Sequence, residues 1–223
     1  CGCGAFLVSA TVFISKKYNK SIVNTIQENI YGVDISDYSV RRAKILLSLL
    51  ALQNGEDKED IKFNLETADS LTTDWKKIFS KNIKNGFDVV IGNPPYVKFQ
   101  DLNKKLREKL YKDWRTLKTG NYNLYFAFFE LGVSILKEDG LLGYITPNNY
   151  FTSLAGIELR EYLQSKTLIE KIVDFNHLKI FNAQTYTSIT FLTKKRKEFF
   201  YYERVEDRKT LNSLNNLNFS KIY

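Results

Sequence analysis

The run Phe87-Asp88-Val89-Val90-Ile91-Gly92 places three β-branched residues in succession and stops against Asn93-Pro94-Pro95-Tyr96. No other stretch of this 223-residue chain restricts its fold as tightly. β-Branched side chains fit a pleated surface. Proline lacks an N–H and disfavours helical geometry in the residue before it. The run therefore reads as a strand that ends at Gly92, with Asn93 at its carboxyl end.

The surrounding sequence alternates between helix and strand patterns. Ala5 to Tyr18 is predicted helical, and Asn29 to Ile35 is a short β-rich run. Ser36 caps a helix that carries Val40, Ala43, Leu46, Leu47 and Leu50 on one face. Ile61 to Ala68 follows as a strand, Tyr122 to Leu136 as an apolar helix and Gly140 to Ile145 as a strand. Then come the helix Ile157 to Gln164, the strand Leu168 to Phe175 and a last strand, Thr185 to Leu192. The final two strands are joined by too few residues for a helical crossover, so they should pair antiparallel. The expectation is an α/β fold with a doubly wound, mostly parallel sheet that ends in an antiparallel hairpin.

Lys and Arg outnumber Asp and Glu by 33 to 25, a balance that favours a polyanionic partner such as nucleic acid. Much of the excess lies between Val97 and Gly120, where Leu102, Leu106 and Leu110 leave only a thin apolar stripe on a short helix. That segment reads equally as a solvated connecting helix or as a mobile flap over a pocket. Cys1 and Cys3 are too close in sequence to bridge each other and too few for a structural zinc site. A reducing, cytoplasmic setting is expected, and no apolar run approaches the ~20 residues of a membrane span. The chain begins with Cys and contains no Met, so it reads as an internal fragment. The strand expected before a glycine-rich turn would be missing.

The Asn93 turn also carries chemistry. Open α/β sheets bind ligands beyond the carboxyl ends of their strands. An exocyclic amino group on a planar ring is a poor nucleophile because its lone pair is delocalised. Two acceptors on its hydrogens push density back onto nitrogen, and Asn93 Oδ1 and the Pro94 carbonyl could supply both. Tyr96 offers a flat face for a base removed from its duplex. The bland alternative is a rigid turn.

With these residues in view, the chain resembles the adenine-specific methyltransferase domain of type IIG and type I restriction-modification enzymes. The likeness covers roughly Cys1 to Lys195. Cys1-Gly2-Cys3-Gly4-Ala5-Phe6-Leu7 is similar to the family's first motif, without the acidic residue and proline that usually precede it. The resemblance implies a class I methyltransferase fold that uses S-adenosylmethionine. Gly2, Gly4 and Phe6 would approach its methionine moiety, Asp34 its ribose hydroxyls, Asp69 its adenine amino group and Phe128 its adenine ring. Gly143-Tyr144-Ile145-Thr146-Pro147-Asn148 is similar to the strand and loop that follow. Lys179-Ile180-Phe181-Asn182 is similar to a late motif whose aromatic ring, with Tyr96, would sandwich the extruded base.

Each of these residues also has an ordinary structural reading. Asp34 could cap a helix, Asp69 could serve a loop, and Phe128 and Phe181 could be packing residues. His177 is the only histidine, which leaves a Ser-His-Asp hydrolase or a histidine-rich metal site hard to build. The methyl transfer itself requires no metal. The implied organisation is a catalytic domain over residues 1–195, with 196–223 a linker or the opening of a target-recognition domain. Implied partners are double-stranded DNA, a linked or separate recognition domain, and a nuclease. Two alternatives stay open: a protein-glutamine or ribosomal-RNA methyltransferase of the same fold, and a non-catalytic remnant that binds nucleic acid.

Overall fold

The computed structural model describes residues 2–79, 83–119, 121–166, 168–178, 180–181, 186–207 and 217–223. Cys1, Gly120, Lys179, Asn182 and Thr185, each part of a stretch singled out in the sequence, lie outside the described residues. The chain forms two compact units, Cys1–Asn82 and Ile83–Tyr223.

The first unit opens with α1 (Ala5–Tyr18), whose N-terminus is set by Gly4 at φ 92°. A side chain there would be strained, and its Cβ would lie 3.0 Å from the Ala43 backbone. Next come α2 (Ile22–Asn29), β1 (Tyr31–Asp34), α3 (Asp37–Gln53), β2 (Asn64–Thr67) and the short α4 (Trp75–Ile78). Strands β1 and β2 pair in parallel, and the core between helices and strands holds Ile26, Ala43, Leu47 and Leu65. Ser36 caps α3 as expected, its hydroxyl accepting from the Ser39 N–H. Val40, Ala43 and Leu47 are buried, and Leu46 and Leu50 are half-buried. The sequence pattern did not separate α2 from its surroundings. Ser21 caps it from within, and the Glu56 carboxylate accepts from the Ile22 and Val23 N–H groups at 2.6 and 2.8 Å. A carboxylate at a helix N-terminus satisfies orphan donors and meets the positive end of the dipole.

The second unit contains β3 (Phe87–Gly92), α5 (Lys104–Asp113), α6 (Tyr125–Ile135), β4 (Leu136–Pro147), α7 (Ile157–Ser165), β5 (Ile169–Asp174), β6 (Thr187–Thr193), β7 (Phe200–Arg204) and β8 (Ser220–Ile222). Its sheet runs β3-β4-β6-β5-β7-β8. β3 is parallel to β4, and β6 lies antiparallel between β4 and β5. The expected antiparallel pairing of the strands around Val173 and Ile189 is present. The resulting sheet is mixed, and that hairpin is not its edge. Thr185 to Leu192 is also not the last strand: β7 pairs in parallel with β5, and β8 pairs antiparallel with β7. Their partners are supplied across the sheet, so the charged sequence around Phe200 carries little local strand signal. Behind β4, α6 approaches closely at Gly132, where a Cβ would collide with Leu142 at 2.2 Å.

Candidate active site

In the first unit the structure brings together the glycine turn, the end of β1 and the loop after β2. Asp34 Oδ2 accepts from the Gly2 N–H at 2.7 Å, and Oδ1 accepts from the Ser36 N–H at 2.9 Å. The Asp34 carbonyl accepts from the Ala68 N–H at 2.9 Å. Burial raises the Asp34 pKa, but the lowering contributions, led by the Ser36 and Gly2 N–H groups, together bring the carboxylate below its ordinary range. Asp34 is therefore a charged acceptor. Asp69 is half-buried, and its Oδ1 accepts from the Leu71 N–H at 3.0 Å, an Asx-type turn that leaves the other oxygen outside that turn. Gly2 has φ 56° and nothing within 4 Å of where a Cβ would stand, so a ligand could approach its backbone from that side. Phe6 lies in the first turn of α1 and is exposed.

In the second unit the pairing of Gly92 with Tyr144 carries the Asn93 turn off the sheet beside Ile145. Asn93 and Pro95 are exposed, Pro94 is buried and Tyr96 is half-buried. The Asn93 side chain hydrogen-bonds the Tyr96 hydroxyl, which itself donates to the Ile145 carbonyl at 3.4 Å. Burial pushes the Tyr96 phenol up to about 12, and the Asn93 hydrogen bond pulls the other way. Its ring meets the fully buried Tyr125 edge-on at 6.2 Å.

Sequence reasoning missed what Tyr125 does. Its hydroxyl donates to Asn149 Oδ1 at 2.8 Å and reaches the Pro147 carbonyl at 3.3 Å, tying α6 to the loop after β4. Asp174 was missed as well. Only 5% exposed, it accepts from Asn148 Nδ2 at 2.9 Å, the Asn176 N–H at 3.0 Å and the Tyr202 hydroxyl at 2.9 Å. One carboxylate thus joins the ends of β4 and β5 to β7. The aspartate closing an apolar strand was a usable signal; its partners on β7 were not.

Phe128 is half-buried where its α6 neighbours Phe126, Ala127 and Phe129 are buried, so part of its ring remains available. Phe181 is 39% exposed and pairs with no other aromatic ring among the described residues. His177 is exposed and lies edge-on to Tyr186 at 5.1 Å. Among the described residues, no helix is long and apolar enough to cross a membrane.

This geometry has known counterparts. Residues 28–181, about two thirds of the chain, match the family described as Eco57I restriction-modification methylase. The chain is 30% identical over 254 aligned residues to the type II restriction enzyme and methyltransferase RM.Eco57I of Escherichia coli, covering 94% of this chain and 25% of that protein. It is 29% identical to the type II methyltransferase M.BanIII of Aneurinibacillus aneurinilyticus, covering 87% of this chain and 32% of the relative. The chain thus spans a quarter to a third of these relatives. Among solved structures, the DrdV–DNA complex superposes with a TM-score of 0.78 at 17% identity, covering 100% of this chain and 26% of that one. A type I restriction-modification methyltransferase subunit from Streptococcus thermophilus gives 0.69 at 19% identity, covering 96% of this chain and 45% of that one. The fold is that of class I S-adenosylmethionine-dependent methyltransferases, and the chain belongs to the Eco57I restriction-modification methylase family.

Proposed function

We propose that this chain is the catalytic part of an enzyme that methylates the exocyclic amino group of adenine in DNA, within a restriction-modification system, using S-adenosylmethionine. The observation that carries the reading is the exposed Asn93, held on a double-proline turn at the carboxyl end of β3 and hydrogen-bonded to Tyr96. The names of the relatives support methylation and restriction-modification.

The residues present suit the cofactor. The open side of Gly2 suits close backbone approach, and the ionised Asp34 suits a pair of ribose hydroxyls. Asp69 would accept from the adenine amino group, Gly4 would shape the turn, and Phe6 would contact the bound molecule. When bound, S-adenosylmethionine supplies a methyl group made electrophilic by its sulfonium, so the protein's work is alignment.

Asn93 Oδ1 and the Pro94 carbonyl accept from the two amino hydrogens of the target base and raise the density on its nitrogen. Tyr96 stacks on one face of the base and Phe181 on the other, offsetting part of the few kcal/mol that extrusion costs. Double-stranded DNA is the substrate, with sequence recognition supplied by a linked or separate domain and cleavage by a nuclease.

The test is transfer of labelled methyl to duplex DNA, followed by digestion to nucleosides. Label is expected on the adenine amino group. Asn93→Ala should lower turnover by about 10²–10³-fold, the cost of removing one transition-state acceptor, with little change in DNA affinity. Equal turnover by the variant, or label on another base, would contradict the reading.

A further inference from the structure

The segment that follows the Asn93 turn is an anchored lobe with one strongly basic face. Its stem is closed by the Phe99 N–H donating to the Tyr122 carbonyl at 2.9 Å and the Leu124 N–H donating to the Val97 carbonyl at 2.8 Å. Inside the stem, Phe99 lies edge-on to Tyr122 at 4.9 Å, with the Arg107 guanidinium 4.7 Å from the Phe99 ring centre. Leu110, Thr116 and Leu117 are buried. The Thr116 N–H donates to Glu130 of α6 at 3.0 Å, and the Thr119 hydroxyl donates to Glu158 of α7 at 2.9 Å. A solvated linker would need no such anchoring.

The outer face is cationic. Residues 98–118 hold eight Lys and Arg against three Asp and Glu, a surplus of five out of the chain's net +8. On α5, Lys105, Lys109 and Lys112 stand at i, i+4 and i+7, a single exposed stripe. Glu108 faces Lys104 at 4.0 Å, and Asp113 and Asp101 lie at the ends of the segment. Among the described residues, none of the three stripe lysines makes an ion pair. Lys118 hydrogen-bonds the Tyr111 and Lys112 carbonyls at the C-terminal end of α5. Of the helix's leucines, Leu110 is buried and Leu106 half-buried, and its one exposed large apolar side chain, Tyr111, stands off the lysine stripe.

We propose that α5 docks on the sugar-phosphate backbone of DNA, with Lys105, Lys109 and Lys112 as its phosphate contacts. This rests on DNA being the substrate. Seven residues of helix rise roughly 10 Å, and one DNA strand carries a phosphate about every 3.4 Å along the axis, so the stripe spans about three phosphates. Only six residues separate Tyr96 from the N-cap Asn103, so a strand whose base is held at the turn has its backbone within reach of the helix.

The test is the salt dependence of binding to a duplex of arbitrary sequence, for the intact protein and for Lys105→Gln/Lys109→Gln/Lys112→Gln. Each phosphate contact contributes about 0.9 to the log–log salt slope, so the triple variant should lose roughly 2–3 from it. Its melting temperature, cofactor affinity and turnover at saturating DNA should stay unchanged. A triple Lys→Arg variant should keep the wild-type slope. An unchanged slope in the glutamine variant, with wild-type protein binding and methylating DNA, would overturn this docking alone. Wild-type protein that neither binds nor methylates DNA would overturn the proposed function with it.

Discussion

Residues 1–82 and residues 83–223 hold their candidate functional groups by opposite means. In the first unit, Asp34 is held by charge and backbone: two N–H groups point at its carboxylate, and a glycine at positive φ leaves the approach open. In the second, Asn93 and Tyr96 are held by shape: two prolines stiffen the turn, and the Tyr96 ring rests edge-on to the buried Tyr125. A carboxylate held by donors depends on its ionisation and answers to pH. A ring held by packing depends on volume and hydroxyl partners, and with its phenol pushed up to about 12 it does not titrate near neutrality.

The largest effect short of the Asn93 substitution is expected at Asp34. Asp34→Ala removes hydrogen bonds to a charged acceptor, each worth about 1.5–3 kcal/mol, so cofactor affinity should fall at least tenfold in a direct titration. The milder Asp34→Asn separates charge from shape. The folded pKa of Asp34 lies below its ordinary value of 3.8, so its stabilising contribution is present above that value and lost as pH falls through the folded one. Thermal melts should therefore show the asparagine variant less stable than wild type at pH 7, with the gap closing in acid. A gap that persists below the folded pKa would mean that Asp34 acts through packing, and the contrast between the two units would fail.

A smaller effect is expected at Tyr125. Tyr125→Phe keeps the ring and leaves the Asn149 and Pro147 acceptors short of a donor inside the protein, at a cost of about 1–2 kcal/mol. A fall in melting temperature of a few degrees is the expected reading. No change would show that the hydroxyl does not hold the loop after β4.

Tyr96→Phe should be smaller still. The ring face that stacks on a base is retained, and the exposed Asn93 loses one hydrogen-bond partner, so turnover should change by less than about threefold. The tyrosine's contribution to the rate should be flat from pH 6 to pH 10, since its hydroxyl titrates near 12. An activity step within that range that vanished in the phenylalanine variant would refute the assignment.

What could be read from the sequence follows the range of the forces involved. The bounds of α1 and β3 were legible because their signals are local: a glycine before a long helical run, and β-branched residues before paired prolines. The antiparallel pairing of β5 and β6 followed from loop length alone. β7 was not legible because Phe200 to Arg204 becomes a strand through partners at Lys171 to Asp174, some thirty residues away. α2 is capped by Glu56, again from beyond any local window. At the candidate site, the residue types with chemistry stood out at Asn93, Tyr96, Asp34 and Asp69. Tyr125, which lies edge-on to Tyr96, and Asp174, which ties the ends of β4 and β5 to β7, did not, because their role lies in hydroxyl and carboxylate partners set by tertiary packing. The short helix expected after Tyr96 is present as α5, and its segment is anchored through Glu130 and Glu158, partners that no local window shows.

The division of work between the two units is the central claim, and one paired measurement tests it most directly. Fluorescence of 2-aminopurine at the target position reports base extrusion, and titration with S-adenosylmethionine reports cofactor binding, both in the intact protein bound to its recognised site. Tyr96→Ala should suppress the fluorescence rise while leaving cofactor affinity near wild type, because extrusion loses the stacking that offsets its cost. Asp34→Ala should weaken cofactor binding and leave the fluorescence rise in place. If Tyr96→Ala instead abolished cofactor binding with the fluorescence rise intact, the assignment of the Asn93 turn to the base would be contradicted.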